Sequence, residues 1–325
     1  MYSRPEQILE QYDLKVKSIS RGRDCYFCDT DLGLKVLSEY RGSKERAGFL
    51  AEMLDFLREH DFAADNVIRT KEGETLAVDE DESKYWLSDA YSGAECDTKS
   101  IGDMVAGVRQ LAHLHNISSE FTKEVPEYIK KKPDSLLILY RKHNRELRQV
   151  RNFIRSRKKR NEFEELFLKQ YDRFAPKAEK ITTILEQMPP EDTSIGFCHG
   201  DFNQHNIIFS KQGIAIVRFE NFSYDIRVSD LANFVRKMME KNNWNAEVGM
   251  ELIEAYRNVR EMTPEEFLYL SVYLAYPEKF WKIANHYNNS HKAWLSGRNM
   301  EKLEKVIVQE SAREEFLQKL FHFAV

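Results

Sequence analysis

Short runs in which apolar and polar residues alternate fill the first ninety positions: LKVKSISR, CYFCDT, LKVLSEY, NVIRT, TLAVD and YWLSDAY, separated by turn residues such as DLG and KEGE. A period of two places every second side chain on one face of a strand, so these runs predict an antiparallel meander. One segment breaks that rhythm. Ser43 precedes Glu45 and Arg46, and Phe49, Leu50, Met53, Leu54 and Leu57 then recur at helical spacing, which predicts a single capped helix laid on the sheet.

After residue 92 the pattern changes to long helices. TKSIGDMVAGVRQLAHLHN is the first, residues 134–188 keep an apolar seam through Tyr140, Leu147, Val150 and Ile154, and the last hundred residues are helical as well. Only residues 195–219 read as strand in this half: IGFCH, NIIF and IAIVRF, with SKQG as the turn between the last two. The expected architecture is α+β and bilobal. Residues 1–92 form a small antiparallel sheet with one helix, and residues 93–325 form a mainly helical lobe carrying the 195–219 hairpin and a 134–188 helical insertion.

Composition narrows the function classes. The 325 residues carry 49 basic and 53 acidic side chains, a net charge of -4, so no global field calls for nucleic acid or an acidic membrane. The amino terminus lacks the apolar core of a signal peptide, and no apolar run approaches the roughly 18 residues of a membrane span, so a soluble intracellular chain is expected. Cys25, Cys28, Cys96 and Cys198 read as reduced thiols, because the one close pair has no second ligand pair nearby. Phe280, Trp281 and Tyr287, at near-helical spacing, read as core. Residues 141–160 hold ten basic side chains against Glu146 alone. That patch is either a solvated face balanced by acidic neighbours or a dock for an acidic partner.

One loop carries chemistry. Phosphoryl transfer needs an oriented acceptor hydroxyl, metal on the phosphates and a positive group holding the nucleotide. In HGDFNQHN, Asp201 precedes Asn206 by five residues between two strands, so a carboxylate can address a hydroxyl while an amide oxygen reaches Mg²⁺. HGDxxxxN, followed by a strand, an acid-rich turn and DLA, resembles the aminoglycoside phosphotransferase and choline kinase branch of the protein-kinase-like fold. The stretches TDLGLKVLSEYRGSKERAGFL, YSGAECD, LAHLH, SYDIRVSDLANF and YPEKFWKIANHY resemble, more narrowly, the bacterial spore-coat kinase-like (CotS) family.

This resemblance implies a set of roles. Asp201 is the catalytic base, Asn206 a metal ligand, and Lys35 the nucleotide-holding lysine, with Glu52 preferred over Glu45 as its partner. The segment from Asp89 through Tyr91 to Ser92 is the hinge beside the adenine, His199 props the loop, and Asp230 supports it from behind. ATP and Mg²⁺ are the implied cofactors and a small molecule the implied acceptor. Spore-coat proteins are the implied partners, with the mother-cell cytoplasm or the coat as location.

Two departures qualify those roles. There is no GxGxxG, only SRGRDCYF, which this branch tolerates. More seriously, Arg218 stands where the family places a second metal-binding aspartate. At 4 Å and an effective dielectric near 20 each unit charge pair is worth about 4 kcal/mol, so an attraction for the cation becomes a repulsion of similar size. The ranked consequences are impaired or absent catalysis, metal-free nucleotide binding through Arg218, and rescue of the metal by Glu220, about 6.6 Å further along the strand. Arg218 is also able to pair with Asp201 and blunt it as a base.

Overall fold

The computed structural model describes residues 5–132, 134–188, 194–289 and 295–323. They form an α+β protein-kinase-like fold, with an antiparallel sheet early in the chain and helices dominating the later part. The chain divides into two compact units, residues 1–130 with 196–224 and residues 131–195 with 225–325.

The first unit opens with α1 (Pro5–Leu9), a short helix that the sequence pattern does not announce. β1 (Val16–Arg21), β2 (Cys25–Thr30), β3 (Gly33–Glu39), β4 (Val67–Ile68), β5 (Ala77–Val78) and β6 (Lys84–Asp89) follow, with α2 (Lys44–Glu59) after β3. The strands make an antiparallel sheet in the order β1-β2-β3-β6-β4, with β5 alongside β6. Ser43 caps α2 as its sequence position requires, its hydroxyl accepting from the Arg46 N–H.

Strand register sorts the residues of β3 onto two faces. Leu37 lies opposite Leu87, and Lys35 opposite Asp89. Leu37 and Leu87 pack with Ile8, Leu9 and Tyr12 in a buried cluster. Val36, opposite Ser88, and Ser38, opposite Trp86, have the other parity and point to the other side.

β7 (Gly93–Glu95) and α3 (Ile101–Ser119) complete the first stretch of this unit. In the later stretch, β8 (Ile195–Cys198) pairs with β11 (Ser223–Ile226), and β9 (Ile207–Ser210) with β10 (Gly213–Ile216) forms the expected hairpin. The compact units are not cut at residue 92. β7 pairs with β9, and Gln110 of α3 donates to the Ile214 carbonyl at 3.1 Å, so the hairpin and α3 stay with the sheet. Gly93 permits that pairing, since a Cβ there would lie 2.2 Å from the Phe209 carbonyl oxygen.

The second unit is helical: α4 (Ser135–Ser156), α5 (Glu162–Glu186), α6 (Val228–Lys241), α7 (Ala246–Arg257), α8 (Pro264–Ala275), α9 (Glu278–Asn289) and α10 (Leu295–Phe323). The 134–188 insertion is two helices, divided at Asn161, whose side chain and that of Glu164 form a reciprocal cap. Leu147, Val150 and Ile154 pack against Phe163, Phe167 and Phe280, so the aromatic set belongs largely to the core. Half of the basic patch is balanced locally. Arg141, Lys142, Arg148, Arg157 and Arg160 pair with Glu186, Glu146, Glu179, Glu164 and Glu165. Among the described residues no helix is long and apolar enough to cross a membrane.

Candidate functional site

The loop between β8 and β9 is fixed by its own polar side chains. His199 is fully buried; its Nδ1 accepts from the Asp201 N–H at 3.2 Å, and its Nε2 lies 3.0 Å from the Val217 carbonyl. An acceptor at one nitrogen and a carbonyl at the other select the neutral tautomer protonated on Nε2. Gly200 has φ +80°, and a Cβ there would stand 2.1 Å from the Asn221 carbonyl oxygen, so only glycine fits between His199 and Asp201. The Asn203 and Asn206 amides both donate to the Asp201 carbonyl at 2.9 Å. Asn206 is thereby oriented, with its Oδ1 as the side-chain atom able to ligate a cation.

Beyond the hairpin, Arg218 adopts a left-handed conformation, φ 70° and ψ 59°, before a 3-10 turn at Phe219–Asn221. A non-glycine residue there costs about 1–2 kcal/mol. Asp65 offsets it. Its Oδ2 accepts from the Arg218 N–H at 2.7 Å and the Phe219 N–H at 3.3 Å, and a hydrogen bond contributes a net of roughly 0.5–1.5 kcal/mol. Asp65 is carried on a strap beside β10, where the Ile216 N–H donates to the Ala63 carbonyl at 2.9 Å. Burial pushes its carboxyl up to about 7, helped by the charge of Glu220 and opposed by the two N–H bonds and by Arg218. The Arg218 guanidinium reaches Glu220 at 3.7 Å and the Arg23 carbonyl at 3.5 Å.

Arg218 and Glu220 form part of the wall of a cavity of about 300 Å³. Phe27, Val36, Trp86, Tyr91, Ile208 and Val217 give it apolar and aromatic surfaces suited to a planar ring. Asp89 and Tyr91 lie on its rim, where the Tyr91 hydroxyl donates to the Ala64 carbonyl at 2.7 Å. His205, from the loop, contacts Glu95 at the same cavity.

Two expected placements are corrected. Lys35 is buried on the face of β3 opposite the Val36 and Ser38 that line the cavity, and its ammonium binds Asp89 at 2.5 Å. Glu52 does not pair with it. The buried side of α2 is Phe49, Leu50, Met53 and Leu54, which leaves Glu52 turned outward to Lys123, and Glu45 exposed in the first turn. Asp230 is buried in the first turn of α6. Sequence reasoning missed Asp65, which belongs to no motif, and Ser38, the polar residue that β3 turns toward the cavity.

A family model described as "Spore coat putative kinase YutH" matches residues 5–320. The curated Spore coat protein S of Bacillus subtilis (strain 168) is 24% identical over 327 residues, spanning 97% of this chain and 93% of that protein. Among solved structures, an aminoglycoside phosphotransferase from Alicyclobacillus acidocaldarius superimposes with a TM-score of 0.85 at 18% identity, covering 100% of this chain and 97% of the other. Spectinomycin phosphotransferase in complex with ADP and spectinomycin gives 0.62 at 14% identity, covering 94% and 97%.

Proposed function

Since the chain belongs to the YutH family of spore coat kinase-like proteins, we propose that it is a coat-associated kinase-fold protein with impaired catalysis, whose cavity holds a nucleotide-like ligand without turning it over. One observation carries this reading: the cavity wall presents the Arg218–Glu220 ion pair where a cation would be needed, and Ser38 is the inward-facing strand residue. The donor set suits a divalent ion poorly. Glu220 is already paired with Arg218, and Asn206 is neutral, so Mg²⁺ would meet a guanidinium rather than a second carboxylate. The apolar walls suit the ring of a nucleotide such as ATP.

A second reading, a weak ATP-dependent phosphotransferase for a small molecule, draws support from the ordered 199–206 loop. In it Asp201 serves as base, Asn206 and Glu220 hold Mg²⁺, and His199 and Asp230 support the loop. Calorimetry with ATP in magnesium and in EDTA, together with an ATP hydrolysis assay, separates the two. The first reading expects equal affinity in both buffers and no turnover. Hydrolysis that requires magnesium and disappears in Asp201→Asn would replace it with the second.

The coat or the mother-cell cytoplasm is the proposed location, with coat proteins as partners, and fractionation of purified spores tests it. An acidic partner at residues 141–160 is restricted to the basic groups left outside the local ion pairs; capture there must weaken with salt.

A further inference from the structure

Beside the cavity lies a larger hollow of about 740 Å³, and the two share Cys25, Arg218 and Glu220. It is built at the end of the sheet where β1 turns into β2 and β3 runs into α2. Four guanidinium groups line it, Arg21, Arg41, Arg46 and Arg218, against the carboxylates Asp24, Glu39 and Glu220. Arg41 is paired with Glu39 and Arg218 with Glu220. The Arg46 guanidinium is held by two neutral groups, the carbonyls of Tyr128 and Phe222, so its charge is not offset there. Arg21 has no ion-pair partner among the described residues, and Arg23, one turn on, lines the adjoining cavity. Tyr40 also lines the hollow, its buried hydroxyl beside the Arg46 guanidinium.

We propose that this hollow is a phosphate-chain site that works without a divalent cation, gripping its ligand through Arg21 and Arg218. A guanidinium presents paired N–H groups that match phosphate oxygens, and its charge is permanent, so it supplies what a metal would otherwise supply. Because the hollow shares its wall with the cavity, one ligand spans both, with its planar ring against Phe27 and Val36 and its phosphates among the arginines. The ring half of that statement rests on the function proposed above; the phosphate half stands on the hollow alone.

The test titrates the full chain in EDTA with adenosine, inorganic tripolyphosphate and ATP, by calorimetry. Tripolyphosphate is expected to bind, more weakly as salt rises. Arg21→Gln, at an exposed strand end, weakens tripolyphosphate and ATP at least tenfold and leaves adenosine unchanged. Val36→Trp, which fills the cavity, removes adenosine and leaves tripolyphosphate. Failure of the folded chain to bind tripolyphosphate, a requirement for magnesium, or unchanged binding by Arg21→Gln overturns the phosphate site. Should adenosine bind and tripolyphosphate not, the cavity reading survives and this inference falls; the reverse result leaves the phosphate site standing and removes the ring.

Discussion

The loop at 199–206 and the turn at 218–221 are held by the same device, a polar side chain that collects backbone N–H groups, yet they offer different charges. In the loop, His199 and Asn203 accept from the Asp201 and His205 amides, and the residue so placed is a carboxylate. In the turn, Asp65 accepts from the Arg218 and Phe219 amides, and the residue so placed is a guanidinium. Backbone geometry at both places is therefore set by neighbours and is independent of the charge displayed. A site of this kind can exchange its chemistry by one substitution while its scaffold stands.

That comparison breaks first at Gly200. Gly200→Ala adds a Cβ against the Asn221 carbonyl, where loop and turn touch, and is expected to cost roughly 3–4 kcal/mol, read as a fall in the thermal midpoint. Lys35→Ala is expected to cost about 1–2 kcal/mol, less than a fully buried pair because Asp89 is partly exposed, and to leave ATP affinity unchanged. A loss of affinity there would return Lys35 to the site. Arg218→Asp sharpens the contrast: affinity for ATP in EDTA should fall about tenfold, or ~1.4 kcal/mol, in calorimetry, and a correctly folded variant with no loss contradicts the proposed role of the guanidinium.

Asp65 links the turn to pH. Its folded carboxyl titrates at about 7, above the unfolded value of 3.8, so between those limits the folded chain keeps a proton that the unfolded chain has released. Stability from this group is fully present below the unfolded value and is lost as pH rises through 7. Asp65→Asn keeps an oxygen acceptor, and should flatten that slope and gain on the order of 1 kcal/mol at pH 8 in denaturant titrations. The smallest effect is expected in the second unit, where Arg148→Ala removes an exposed pair with Glu179 and shifts stability by less than about 0.5 kcal/mol.

Much of this was readable in the sequence. Alternation located β2, β3 and β6, Ser43 marked the start of α2, and the HGDFNQHN spacing located the loop. The face of β3 was not readable, because Leu34, Val36 and Leu37 make both parities apolar and hide which side Lys35 takes. Glu52 was placed by its distance from Lys35, although the spacing of Phe49, Leu50, Met53 and Leu54 already defined the buried side of the helix. β7 escaped notice because GAE has no apolar alternation; its pairing with β9 depends on a contact distant in sequence. Asp65 is legible only in three dimensions, since its partners lie more than 150 residues away.

The first unit is assembled from two stretches separated by residues 131–195. At roughly 5–20 residues per second, a ribosome needs several seconds to span that gap. During this interval the nascent sheet has no hairpin to pair with β7, and the side bearing Phe27 and Leu34, 39% and 43% exposed even in the finished fold, stays open to aggregation or to a chaperone. Slowing translation across the intervening segment should therefore lower the yield of soluble protein.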